Sequence, residues 1–261
     1  MSASWLSRLP HLAARLGPVA ASSYRVASRI VNSLRAGRAV KDHQELGACR
    51  VLLVSVPGCA LPSALAQLAG GPICWSGKVV LLCSPGPGSR ALDELRERGA
   101  LTGFVGPIEG FPGRYVAEGD ALAIKAARRV VGDMRGRMVE LNRGGAALYG
   151  AGVAFATSLF TPLIAASVDS LRQAGCTPAA AEQVALVLFQ KTLRGWTHSG
   201  KKSWNGPLAA ADEAEIERQI EALAAHAPPA ARHYRAAAAF ALEYFGRHGG
   251  LLGRLGLSSR E

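Results

Sequence analysis

Up to Asn142 the chain alternates short runs of branched apolar residues with segments of helical period; beyond it only the helical period remains. Residues 16–22 (LGPVAAS) predict a first strand, and residues 24–34 an Arg-rich helix. Residues 50–56 (RVLLVSV) form a continuous apolar run closed by Pro57 and Gly58. That is the pattern of a strand covered on both faces, expected at the centre of a sheet. A helix over 61–69 leads to a strand over 78–83 (KVVLLC), a Gly/Pro turn over 84–88 and a helix over 89–98. Strands over 102–105 and 114–117, a helix over 119–131 and a strand over 137–141 follow. Such alternation predicts βαβ units and a parallel sheet.

From Gly144 onward, Ala-rich apolar positions recur at helical spacing over 147–174, 178–198 and 212–248. Thr177-Pro178 and Asp212 read as helix starts, and Pro162 is expected to kink the first of these helices. The expected organisation is an α/β domain over 1–142 followed by an all-helical domain over 143–261.

Length and composition narrow the classes. With 261 residues, 49% hydrophobic and 19% charged, the chain can bury a sizeable core, which excludes disordered and mini-protein classes. Thirty basic against nineteen acidic residues give +11, but the arginines are scattered singly, so nucleic-acid binding is a minor expectation and a basic surface the main one. Five cysteines (Cys49, Cys59, Cys74, Cys83, Cys176) show neither CxxC nor Cys/His ligand spacing, so no disulfide framework and no metal site is expected. A reducing, cytoplasmic compartment fits that set. The uninterrupted apolar runs are strand-length, and no membrane span is expected. Residues 1–41 hold seven basic residues and no acidic one, which also suits a mitochondrial transit peptide, although they read better as part of the core structure.

In an open α/β sheet, ligands gather at the carboxyl ends of the strands. Three exits carry candidate chemistry. After the first strand, Ser22, Ser23 and Arg25 offer hydroxyls and a guanidinium for an adenosine ribose or its 2′-phosphate, or else simply cap a helix. At Val56 and Pro57 the backbone could meet a ribose or nicotinamide. The turn holding Ser84 and Gly86 opens a helix whose amides could receive an anion. A G-x-G-x-x-G turn, which brings a pyrophosphate onto a helix N-terminus, does not occur at the start of this chain. Residues 5–15 (WLSRLPHLAAR) look like the tail of the helix that would follow such a turn. Either the first strand and turn have been lost or the start codon is set too late.

Taken in order, SSYRVASRI, CRVLLVSVPG, GKVVLLCSPGPGSRALDELRERGA, GPIEGF, YVAEGDALA, AALYGAGVAFATSL and WNGPLAAAD resemble the Rossmann-like proteins that carry the C-terminal domain of unknown function 2520. These lie within the pyrroline-5-carboxylate reductase and 6-phosphogluconate dehydrogenase-like superfamily, and FQKTLRGW is similar to a segment of the reductases' helical domain. The resemblance implies a Rossmann-like NAD(P)-binding domain, N-terminally truncated here, followed by a helical domain that dimerises. It implies NADP or NAD as cofactor, a small-molecule substrate taken between the two domains, and hydride transfer.

Several polar positions of that pattern are changed. Leu82, Cys83, Ser84 and Pro85 stand where His-Thr-Ser-Gly is common, and Gly106-Pro107-Ile108-Glu109 where His-Pro-Leu-Gln is usual. Gly150 replaces a His, Ser158 an Asn and Ala210 an Arg, while Gly206, Pro207 and Asp212 match. The remaining candidates for proton transfer are Glu109, if burial raises its pKa, and Tyr149. On one continuous helix Tyr149 and Ser158 would face opposite sides, about 180° apart, whereas Tyr149 and Thr157 would lie within about 80°. Two functions are therefore expected to compete: an NAD(P)-dependent oxidoreductase, and a non-catalytic dimeric binding or scaffold relative.

Overall fold

The computed structural model describes residues 15–83 and 89–245, together with 250, 253, 255 and 256. The chain divides into two compact units, Met1–Val153 and Ala154–Glu261. The first holds β1 (Pro18–Val19), α1 (Tyr24–Leu34), β2 (Arg38–Ala39), β3 (Val51–Val54), α2 (Leu61–Gly70), β4 (Val79–Leu82), α3 (Asp93–Glu97), β5 (Leu101–Pro107), β6 (Arg114–Gly119), α4 (Ala121–Asp133), β7 (Arg137–Glu140) and most of α5 (Ala146–Ala156). The class is α/β with a mainly parallel sheet and a helical carboxyl-terminal part, as the periodicities predict.

The strands form two sheets. One has five strands in the order β3-β4-β5-β6-β7; the other is the parallel pair β1-β2. Pairing is parallel except between β5 and β6, which meet as an antiparallel hairpin with Pro107 opposite Tyr115. The sheet is thus parallel as expected apart from this one pair, where the linker between the strands is too short for a crossover and suffices only for a turn.

The apolar run that ends in β3 lies at an edge rather than at the centre, and its first residue, Val51, is 37% exposed. It reads as a central strand because both faces are covered. Leu53 packs in the core cluster beneath α1 and α4, and Leu52 and Val54 in the cluster beneath α2 and α3. In β4 the alternation is complete, with Val79 and Leu81 in the first cluster and Val80 and Leu82 in the second. The first strand shrinks from the seven expected residues to two, and β2 was missed because its two residues carry no periodic signal.

Between β5 and β6, Gly103 and Gly119 lie directly opposite each other. A Cβ on Gly119 would stand 2.4 Å from the Cα of Gly103, so only glycine allows this close approach. Asp120, just beyond, accepts the Thr102 amide at 2.8 Å, and α4 then presents Ala123, Ile124, Ala127 and Val131 to the sheet at helical spacing.

The second unit contains α6 (Phe160–Gln173), α7 (Pro178–Ser199), α8 (Pro207–Ala210), α9 (Glu213–His226) and α10 (Pro228–Phe245). Where a single kinked helix was expected, α5 and α6 are separate. Pro162 has no N–H and crowds the carbonyl of residue 158, so it is accommodated in the first turn of a new helix. Pro228 and Pro229 likewise divide the last expected helix into α9 and α10. Thr177 and Asp212 cap α7 and α9 through their side-chain oxygens. The core here is Ile216, Ile220, Ala238 and Leu242, with Trp204 stacked on Phe245 at 4.3 Å between centroids.

Candidate functional site at the carboxyl edge of the sheet

The parallel strands β3, β4 and β5 deliver their exits to one edge of the first unit. At the exit of β3, Val56 packs against the α2/α3 cluster, while Pro57 is exposed and its carbonyl accepts the Ala60 amide, starting a tight 3-10 turn. Just before them the hydroxyl of Ser55 is buried with no hydrogen-bond partner among the described residues. Ser84 and Gly86, at the exit of β4, lie outside the described residues. Beyond β5, Ile108 packs into the same cluster and Glu109 is exposed on the hairpin turn rather than buried as expected.

Tyr149, one turn into α5, is half-buried against that cluster. Burial, and after it the nearby Glu109 carboxylate, push its phenol above the ordinary value of 10.0. The two residues expected to share proton transfer are thus brought within electrostatic reach. Because α5 ends at Ala156, no helical phase extends from Tyr149 to Thr157 or Ser158. A depression of about 450 Å³ lies beside Tyr149, walled by residues 141–145 and Leu148.

The candidates after β1 sit at the start of α1. Ser23 accepts the Val26 amide at 3.3 Å as the helix cap, and Ser22 and Arg25 are exposed. Lys41 reaches over the Tyr24 ring from beyond β2, 5.5 Å from its centroid, and adds a second cation to this surface.

One residue of this region had no role in the sequence reading beyond the YVAEGDALA segment. Glu118, on β6, is 1% exposed. Its carboxylate accepts the Ser89 hydroxyl at 2.6 Å and the Ala146 amide at 2.8 Å, and the Gly144 amide also donates to it. Burial alone would raise its pKa; these hydrogen bonds, with the attraction of Arg90, outweigh burial and hold it below the ordinary 4.5. The available signal was an acidic residue two positions from Val116, on the inward face of a strand whose alternation is otherwise apolar.

Residues 114–240 match the family described as a domain of unknown function, DUF2520. Over this segment the chain is similar to the DUF2520 family. Solved structures of similar fold include protein TM1727 of Thermotoga maritima, 15% identical at a TM-score of 0.67, covering 92% of this chain and 95% of that one. An imine reductase of Bacillus cereus is 18% identical at 0.60, covering 97% and 96%. An imine reductase of Myxococcus stipitatus in complex with NADP+ is 14% identical at 0.62, covering 97% and 95%. At these identities the likeness concerns the fold. No curated protein sequence matches the chain.

Proposed function

We propose that this protein is an NAD(P)-dependent oxidoreductase acting on a small metabolite, with the dinucleotide held along the carboxyl edge of the first unit's sheet. The observation that carries this reading is the convergence there of the β3 exit, the β4 exit and the Glu109–Tyr149 pair, where an open α/β fold receives its ligand. The residues present fit such a cofactor. Ser55 is a buried hydroxyl without a partner among the described residues at the β3 exit, and Ser22, Arg25 and Lys41 form a cationic, hydroxyl-bearing surface suited to a ribose or its 2′-phosphate. When bound, the cofactor supplies the hydride. The chain's own part is to orient it through Val56 and Pro57 and to hold a proton on the Tyr149 hydroxyl, which its raised pKa keeps protonated at neutral pH.

Titrating NADPH and NADH against tryptophan fluorescence tests this. A saturable change with either is expected; none with both refutes the reading. The exposure of Glu109 and the glycines at positions 106 and 150 favour a second reading, a binding relative that takes the cofactor but does not turn over. Saturable binding with no NADPH oxidation across a panel of small ketones and imines would favour that one. All five cysteines are free, which suits a reducing, cytoplasmic setting.

We further propose that a second copy of the chain covers the outer surface of α6 and α7. Leu163, Ile164, Leu186, Val187, Leu193 and Trp196 are all exposed there, Trp196 by 52%. Within Ala146–Gln173 an 18-residue window reaches a mean hydropathy of 1.7 with none of it buried, enough by length and composition alone to cross a membrane. The uninterrupted runs counted in the sequence miss this, because Gly, Thr and Ser punctuate the stretch. The stretch is broken between α5 and α6, where the Leu159 amide turns back onto the Ala154 carbonyl, and neither helix alone is long enough to span a bilayer, which favours a protein partner. Light scattering is expected to give twice the 27.2 kDa of one chain; the mass of a single chain would overturn the proposal.

A further inference from the structure

We propose that Glu118 is a positioning residue whose buried carboxylate fastens the start of α5, and through it Tyr149, to the stem of the loop that leaves β4. What the positioned groups serve rests on the oxidoreductase reading; the fastening itself does not.

Three donors converge on the carboxylate from two separate pieces of chain. Ser89 is the first described residue after the β4 exit loop, and its hydroxyl donates to one oxygen. Ala146 is the first residue of α5, and its amide donates to the other. Gly144 donates from the turn ahead of the helix. That turn is built to come close: Gly144 has φ +81°, and a Cβ on Gly145 would stand 2.8 Å from the Asn142 carbonyl oxygen. No side chain separates the helix start from the carboxylate.

A well-packed apolar side chain in such a place avoids desolvating a charge and is often neutral or stabilising. The carboxylate's distinctive contribution is directional, because it orients donors that have no other common partner. Tyr149 lies three residues beyond Ala146, less than one turn, so any rotation or slide of the helix start is passed directly to its hydroxyl. Ser89 and Ala146 are 57 positions apart, and the single carboxylate registers Ser89 against the start of the helix that carries Tyr149.

The test follows the Tyr149 phenol by ultraviolet absorbance through an alkaline titration, taken as the difference between each protein and the same protein carrying Tyr149→Phe. No cofactor is needed. Glu118→Gln places an amide nitrogen, which cannot accept, against one of the donors. Tyr149 is then expected to titrate lower, towards the ordinary phenol value, with the far-ultraviolet circular dichroism unchanged. Ser89→Ala cuts only the β4 side and is expected to leave the Tyr149 titration in place while weakening the NADPH-dependent fluorescence change. The proposal is overturned if folded Glu118→Gln titrates like the parent, or if Ser89→Ala shifts Tyr149 as far as Glu118→Gln does. Should Glu118→Gln not fold, Glu118→Asp, which keeps the charge but withdraws it by one methylene, is read in the same way. Absence of NADPH binding by the parent would remove the oxidoreductase reading and leave the titration result standing. An unchanged titration alongside normal NADPH binding would do the reverse.

Discussion

Replacing Gly103 by alanine tests the close approach of β5 and β6 with a single methyl group. The added Cβ would meet the Glu118 carbonyl oxygen at 2.8 Å, the Ala123 Cβ at 3.2 Å and the Gly119 Cα at 3.4 Å. The first and third of these are backbone, so the methyl is accommodated only if the strands part, and overpacking of this kind costs about 1–3 kcal/mol. Against that, removing a glycine from the unfolded chain returns about 0.4–1 kcal/mol. The net expectation is a loss of about 1–2 kcal/mol. Gly132, inside α4, is the control: a Cβ there meets nothing within 4 Å, so Gly132→Ala has only the favourable term and should stabilise by about 0.5–1 kcal/mol. With two compact units, a global melt mixes two transitions. Native-state hydrogen exchange at the fully buried β4 amides of Leu81 and Leu82 reads the first unit alone. If Gly103→Ala slows exchange there as much as Gly132→Ala does, the account of the Gly103–Gly119 contact is wrong.

Other outcomes follow from the same geometry. Because the Glu118 carboxyl is held below its unfolded value of 4.5, its contribution to stability is complete above that pH and is lost as the pH falls through its lower folded value. Acid titration of the first unit should therefore flatten over that window in Glu118→Gln, and an unchanged acid limb would contradict this. Glu109→Gln removes the smaller of the two influences on Tyr149, so the phenol should titrate lower but stay above 10.0, since burial remains; a return all the way to that value would mean that burial is not the larger cause. Leu186→Glu places a charge on the exposed face of α7, where Leu186 is 57% exposed, and should halve the mass seen by light scattering with helicity retained. A dimer that survives it would move the interface elsewhere.

The layered fold was legible because apolar period is a direct record of burial. Residues of β4 alternate between two cores, and Ala123, Ile124, Ala127 and Val131 mark the covered face of α4. Strand position was not legible, since the apolar run through β3 records cover above and below but says nothing of lateral neighbours. The antiparallel turn at β5–β6 was hidden for a related reason, because pattern carries no direction. Prolines were read correctly as interruptions but too weakly: Pro162 and Pro228 end one helix and begin another. Around the edge, residue chemistry singles out Tyr149 and Glu109 as candidates, whereas nothing in the pattern marks Glu118 as an anchor. A carboxylate is recognisable as an anchor only once Ser89 and Ala146, distant along the chain, are seen to meet on it.

The separation of β1-β2 from the five-stranded sheet has a practical consequence. Among the described residues, β3 pairs on one side only, so its other flank has no strand partner beside the exposed Val51. A bare flank of this kind is a template for any extended segment that drifts past, including one from a neighbouring molecule. In a concentrated preparation, self-association is expected to begin along this hem, and a lysine at Val51 is the single change best suited to keep the protein dispersed.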